Sequence, residues 1–261
     1  MKKLRFKSYE VLGATVHPFK IDELNDIILT LVRNNEKKII GNHNLHSIYL
    51  FHSDSVMRQF YSQSFINHID GMPIIFWLKA LGKQISTECR ITYVDLIHPL
   101  MQIADNNQWK IYYLGSKPGV ADKASKILNK KYQDVDIETH HGFFEFNSEK
   151  EKEILQEINN FHPQLLLVGM GMPRQERWIL NNIDSLNSNV IMNSGACFDY
   201  IAGEQKTPPR LLGKIGMEWL YRLVSDPKRL SKRYLIEPLS LTPHFIRDLK
   251  NSYYSRSQKP S

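Results

Sequence analysis

Cysteine is nearly absent: Cys89 and Cys197 are the only two in 261 residues. Two thiols cannot build a disulfide framework, and their spacing is not that of zinc ligands, so both are read as buried or partly buried free thiols. Long apolar runs are also missing. The longest, such as Leu165-Leu166-Leu167-Val168, are far too short to span a bilayer. Basic residues open the chain (Lys2, Lys3, Arg5, Lys7), but no apolar stretch follows them as in a signal peptide. The expected location is therefore cytoplasmic, or peripheral on the inner face of the cell membrane. No GxxxxGK[ST] loop occurs, which argues against an ordinary P-loop nucleotidase. Ten histidines are present, yet none is arranged as HExxH or at another tight metal spacing, and metal independence is expected.

The composition that remains is that of a soluble globular protein, with 42% hydrophobic and 23% charged residues. The net charge of +7 is confined to one place. Residues 204–261 carry 12 Lys/Arg against 5 Asp/Glu, and the rest of the chain balances to zero. Such a patch attracts nucleic acid, anionic lipid headgroups or diphosphates, or simply keeps a tail solvated.

From Trp109 the chain alternates between strand and helix. Strands are predicted at Trp109–Leu114, Val135–Thr139, Leu165–Val168 and Asn189–Asn193. Helices are predicted at Val120–Lys131, Glu151–Asn160 and Arg174–Asn182. Continuous apolar runs ended by glycine are the mark of parallel strands buried on both faces. The first hundred residues are less regular. Short strands are read at Lys38–Ile40 and Ile66–Ile69, and helices at Ser53–Gln63 and Val94–Asn106, the latter containing Pro99. The fold class is α/β: a Rossmann-like parallel sheet flanked by helices, with a basic helical C-terminal appendage. After Gly203 the pattern becomes basic, aromatic and proline-broken, which divides the chain into a core, 1–203, and an appendage, 204–261.

In an open parallel sheet, ligands bind at the carboxyl ends of the strands. Five loops fall there: Gly41-Asn42-His43-Asn44, Asp70-Gly71-Met72-Pro73, Gly115 to Gly119, Gly169-Met170-Gly171-Met172-Pro173 and Asn193-Ser194-Gly195-Ala196. Gly115 to Gly119 opens a helix, whose free N–H groups suit phosphate, though a tight turn needs the same glycines. Asp70 sits at a strand end, where a carboxylate can take a proton from an attacking hydroxyl. An Asx turn is the competing reading, since Asp-Gly is a common turn pair. Glu176, in the first turn of a helix, is of a kind that is routinely structural. Asp134-Val135-Asp136 has a DxD pattern but precedes a strand, at the opposite edge from these loops.

Three blocks together resemble the WecG/TagA/CpsF glycosyltransferases. Gly169-Met-Gly-Met-Pro-Arg-Gln-Glu-Arg-Trp178 looks like that family's GxGxPxQExW block, and Gly195-Ala-Cys-Phe-Asp-Tyr-Ile-Ala-Gly203 its GxxFDxxAG block. Gly216-Met-Glu-Trp-Leu-Tyr-Arg-Leu223, Asp226-Pro227, Arg229 and Lys232-Arg233-Tyr234 are similar to its ending. The resemblance runs from about residue 10 to 240. It implies inverting, metal-independent transfer, without a cofactor, from a UDP-sugar donor to a polyprenyl-diphosphate-linked sugar acceptor in cell-surface glycan synthesis. It further implies an appendage that meets an anionic membrane surface and helps to close the active site. Asp70 takes the position of the general base, and Arg90 that of a functional arginine. Arg222, Arg229 and Arg233 match tail arginines expected near diphosphate or membrane. Gly115, Gly169, Gly171, Gln175, Asn193, Gly195 and Asp199 fall in blocks expected to bind substrate. The family's Thr-x-Asn appears here with Gly41 at the threonine, leaving Asn42 to keep its role and His43 to stand in for the hydroxyl. Tyr93 stands where a glycine is usual. A homo-oligomer is compatible with the sequence. The competing reading is a non-catalytic nucleotide- or nucleic-acid-binding module that uses the basic tail, with strongly salt-dependent affinity. No nucleic-acid recognition motif supports it.

Overall fold

A computed structural model of the chain describes residues 6–209, 212–213 and 216–257. Lys2, Lys3 and Arg5 of the basic start, and Arg210, Lys214 and Lys259 of the basic tail, lie outside the described residues.

Six parallel strands form the central sheet: β3 (Lys38–His43), β4 (Ile66–Ile69), β5 (Lys110–Gly115), β6 (Asp136–His140), β7 (Leu165–Gly169) and β8 (Val190–Asn193). Their spatial order is β4-β3-β8-β7-β5-β6. Side chains alternate between two cores. Tyr113, Leu165, Leu167 and Met192 face one side, packing with α1 (Ile21–Arg33), α5 (Tyr93–Asn106), α6 (Val120–Asn129) and α9 (Cys197–Ile201). Tyr112, Leu166, Val168 and Ile191 face the other, against α3 (Ser55–Gln63), α7 (Glu149–Phe161) and α8 (Arg174–Asn182). Burial of both faces is why β7 and most of β8 are continuous apolar runs, whereas the edge strand β6, Asp-Ile-Glu-Thr-His, alternates.

A third core lies beside β4. There an antiparallel hairpin, β1 (Tyr9–Val11) and β2 (Ala14–Val16), packs with α2 (Leu45–Ser53), α4 (Met72–Ala80) and the buried Leu241 of the tail. The hairpin, α1, α2 and α4 are additions to the predicted elements. The helix predicted over 53–63 is α3, which starts at Ser55 after the cap Asp54, whose backbone is extended and whose carboxylate accepts from Val56 N–H at 2.8 Å. Pro99 lies inside α5, where buried Leu96, Ile97, Leu100 and Met101 hold the helix together around it.

After Gly203 come α10 (Glu218–Ser225), α11 (Pro227–Ser231), a π-helical turn (Lys232–Ile236), α12 (Glu237–Ser240) and α13 (Thr242–Ser257). They fold back onto the third core. Asp248 Oδ2 accepts from Leu12 N–H at 2.7 Å and from Trp77 Nε1 at 3.2 Å. Phe245 meets Trp77 edge to face, with ring centroids 4.5 Å apart.

At the carboxyl edge Gly115 and Gly169 are register partners. A Cβ on Gly115 would run into the Gly169 backbone, and one on Gly169 into the Tyr113 hydroxyl and the Gly195 carbonyl. Gly169→Ala is expected to cost about 1–3 kcal/mol through this overpacking, seen as a lower Tm. An unchanged Tm would show that the edge can spread.

Candidate active site

The chain leaves β5 toward β6 on one side and leaves β7 toward β8 on the other, so β5 and β7 flank a switch point at their carboxyl ends. The loops there are tied together from beneath. Ser116, at φ 60°, donates from Oγ to Asp199 Oδ2 at 2.7 Å. The Tyr113 hydroxyl, 3.1 Å from Ser116 Oγ, donates to the Gly195 carbonyl at 3.2 Å. Gln175 Oε1 accepts from Gly171 N–H at 3.1 Å and Gly195 N–H at 3.2 Å. Gly142 N–H bonds the Ser116 carbonyl, so the strongly exposed Phe143 beside it borders the same edge. That aromatic ring is a residue the sequence reading missed. Asp134 and Asp136 lie at the opposite edge, where β6 begins.

Several residues expected at the ligand lie below the surface instead. Gln175 and Asn193 are 1% exposed, Asn42 3% and His43 0%. Their hydrogen-bonding groups are largely turned inward. Asn42 Nδ2 donates to the Asn193 carbonyl at 2.8 Å and to its Oδ1 at 3.0 Å. His43 Nδ1 pairs with Ser47 Oγ at 2.9 Å, and its ring stacks on Tyr61.

Beside this edge, across β3 and β4, is a cavity of about 220 Å³ with two walls. The core provides Asn44, Asp70, Arg90 and Thr92; the tail provides Glu218, Trp219, Arg222, Arg233 and Tyr234. Asp70 is half-buried at the end of β4. Its N–H bonds the His43 carbonyl at 2.9 Å, and its Oδ2 accepts from Asn44 Nδ2 at 3.0 Å. Asn44 is held in turn as the cap of α2, with Oδ1 accepting from Ser47 N–H at 3.1 Å. The asparagine that faces Asp70 is thus Asn44, a residue the sequence reading did not single out. The signal for it was the Asn-x-x-Ser cap. Gly41 does not line the cavity, and a Cβ there would meet Asn67 Oδ1, which would have to shift to admit a threonine.

Arg90 reaches across to the tail, donating from Nη1 to Glu218 Oε2 at 2.9 Å, while Nη2 lies 3.5 Å from Asp95 Oδ2. Its charge is thereby taken up within the protein. Arg222 and Arg233 differ, because the Nε of each is buried without a hydrogen-bond partner among the described residues. Burial holds the Arg233 guanidinium below its usual pKa range, while the nearby charge of Asp70 favours its protonated form and that of Arg222 opposes it. Glu237 at the rim pairs with His46 Nδ1 at 2.5 Å. Arg229 is not brought to the cavity. It is exposed and pairs with Asp226 at 2.6 Å, three residues back on the same short helix. What remains is two half-buried guanidinium groups beside the braced carboxylate of Asp70, a setting suited to a polyanionic ligand such as a diphosphate.

Behind Asp70 lie two fully buried imidazoles. Burial pushes both His43 and His68 down to about 3, and for His43 the neighbouring His68 and His17 add to the effect. Both are therefore neutral in the folded protein, whereas an unfolded chain protonates them below about 6.5. The unfolded state binds more protons in that window, so stability is complete above pH 6.5 and falls as the pH drops toward 3. Each histidine adds a slope of up to about 1.4 kcal/mol per pH unit. Urea midpoints measured between pH 7 and 5 should fall accordingly, and less steeply in His68→Leu; equal slopes would contradict this.

The family model described as the glycosyl transferase WecG/TagA/CpsF family matches residues 9–255. Two similar proteins, from Staphylococcus aureus strains MW2 and NCTC 8325 / PS 47, are each named N-acetylglucosaminyldiphosphoundecaprenol N-acetyl-beta-D-mannosaminyltransferase. Each is 32% identical over 143 residues, which is 55% of this chain and 55% of the relative. The aligned part thus spans about half the length of the relatives. The family match is much longer, taking in all six strands of the sheet and both walls of the cavity, and on that extent the chain belongs to the glycosyl transferase WecG/TagA/CpsF family.

Proposed function

We propose that the chain transfers a sugar from a UDP-sugar to a polyprenyl-diphosphate-linked sugar, with inversion at the anomeric carbon and without a metal ion, in the synthesis of a cell-surface glycan. The observation that carries this is the cavity that Asp70, braced by Asn44, lines together with Arg222 and Arg233, the Nε of each without a hydrogen-bond partner among the described residues. Asp70 takes the proton of the acceptor hydroxyl as its oxygen attacks the anomeric carbon. The bond from that carbon to the β-phosphate oxygen breaks, and UDP leaves with the electron pair. Arg222 and Arg233 balance the charge that develops on the diphosphate, the part a metal ion plays in other transferases. Arg90 acts at one remove, by joining the tail to the core through Glu218. The nucleotide occupies the Gly115, Gly169 and Gly195 edge, with Ser116 and Asp199 near the ribose and Phe143 offering a face for the base.

The tail, 204–261, serves as the appendage that meets the membrane. No helix among the described residues is long and apolar enough to cross one. Val224, Leu239 and Tyr253 are at least 70% exposed on the helices of this basic tail, the makeup of an interfacial anchor. Arg229 belongs to this surface.

The test is a panel of UDP-sugars incubated with a synthetic lipid-diphosphate-linked N-acetylglucosamine, with product read by mass. UDP-N-acetylmannosamine is the first donor to try, because the relatives are named for that sugar. A product one sugar heavier than the acceptor is expected; sugar-nucleotide hydrolysis indifferent to acceptor would overturn the proposal.

A further inference from the structure

Between the two halves of the carboxyl edge runs a buried chain of polar groups. Gln175 Oε1 receives the N–H groups of Gly171 and Gly195, one from the loop after β7 and one from the loop after β8. Its Nε2 donates to Glu176 Oε1 at 2.8 Å, and Asn193 Nδ2 donates to the same oxygen at 2.8 Å. Asn193 in turn receives Asn42 from β3, and the Tyr61 hydroxyl closes the chain on the Asn42 carbonyl at 3.0 Å. Three neighbouring strands of the sheet are thus linked through one carboxyl group.

We propose that Glu176 is a positioning residue: its carboxyl joins Gln175 to Asn193 and so sets the Gly171 and Gly195 loops at the separation that receives the donor nucleotide. The inference rests on the reading that a nucleotide diphosphate binds at this edge. Glu176 itself is 0% exposed and cannot touch the ligand. Its Oε1 takes both amide donors, while Oε2 is buried without a partner among the described residues. An ionised carboxylate with one oxygen stranded in an apolar setting is costly, and burial accordingly pushes the Glu176 acid upward. The group works through Oε1, which holds both amide donors in place. Glutamine copies that shape, with the amide oxygen at Oε1 and NH₂ at Oε2; alanine does not.

The test is UDP affinity by calorimetry on the full chain, alongside donor and acceptor KM in the transfer assay. Glu176→Ala and Gln175→Ala are each expected to raise the UDP Kd about tenfold, as for loss of one buried hydrogen-bonding link. The double variant should be no weaker than the worse single one, because both act along the same path. Glu176→Gln should stay within about twofold of the parent, a conservative exchange that keeps the links. Acceptor KM should not move. Should Glu176→Ala fail to fold, Gln175→Ala and Glu176→Gln carry the test. A Gln175→Ala variant that binds UDP like the parent would overturn the inference. So would Glu176→Gln as weak as the alanine variants, or an acceptor KM that rises in step with the donor. Failure of the parent itself to bind UDP is a different result, and would remove the nucleotide reading together with this one.

Discussion

Asp70→Asn is expected to lower kcat about 10²- to 10⁴-fold, the range associated with loss of a general base. The fold should survive this change. Asparagine has the same shape, and its Oδ1 can still accept from Asn44 Nδ2, which bonds the carboxylate at 3.0 Å. The backbone bond from residue 70 to the His43 carbonyl is untouched. What disappears is the capacity to take a proton from the acceptor hydroxyl. The effect should therefore appear in kcat, with UDP affinity and thermal melting near those of the parent. Undiminished kcat would remove Asp70 from the role of base. Asn44→Ala should give a smaller loss, about tenfold, because it releases the carboxylate from its orientation without deleting it.

Arg233→Met should separate activity from stability. Arg233 is half-buried; its desolvation outweighs the favourable charges of Asp70 and Glu237, and Arg222 opposes its charge. Exchanging a buried, poorly compensated charge for an apolar side chain of similar volume is often neutral or stabilising. The Tm of the ligand-free variant should hence stay level or rise. In the reaction the same charge balances the departing diphosphate, so kcat/KM should fall about 10²-fold or more. Thermal melting and steady-state kinetics on one preparation decide the matter. A sharply lower Tm with kcat/KM near the parent would make Arg233 a structural residue. Arg229→Met should show neither change, since its guanidinium is exposed and engaged with Asp226.

The part of the fold from β5 to β8 is legible in the sequence for a physical reason. Strands buried on both faces must be apolar throughout, and Leu165 to Val168 alternates between two cores without a polar residue. The third core hides its elements. α4 (Met-Pro-Ile-Ile-Phe-Trp-Leu-Lys-Ala) carries apolar residues on its exposed face too, Phe76 among them, and such a segment shows no clear helical period. α1 does carry one, in buried Leu24, Ile28 and Leu31, and that spacing is the signal that could have found it. For the site, the Asp-Gly pair at a strand end fits an Asx turn as well as a base, and it is the family blocks downstream that single out Asp70. Depth is what one dimension conceals. Gln175 and Asn193 stand in loop blocks as a ligand contact would, yet both point under the edge, with their donors given to Glu176. Likewise Arg222, Arg229 and Arg233 look equivalent along the chain. Only the turns between α10 and α12 bring the first and last to the cavity and leave the middle one outside.

The most direct test is the initial rate of sugar transfer from UDP-N-acetylmannosamine, or from the best donor of the panel, to lipid-diphosphate-linked N-acetylglucosamine in the presence of EDTA. Parent and Asp70→Asn would be run side by side, each with and without acceptor. Acceptor-dependent product formed by the parent despite the chelator, and all but lost in the variant, is the predicted result. Release of UDP at the same rate without acceptor, or a rate that collapses with EDTA and returns with a divalent ion, would contradict the account.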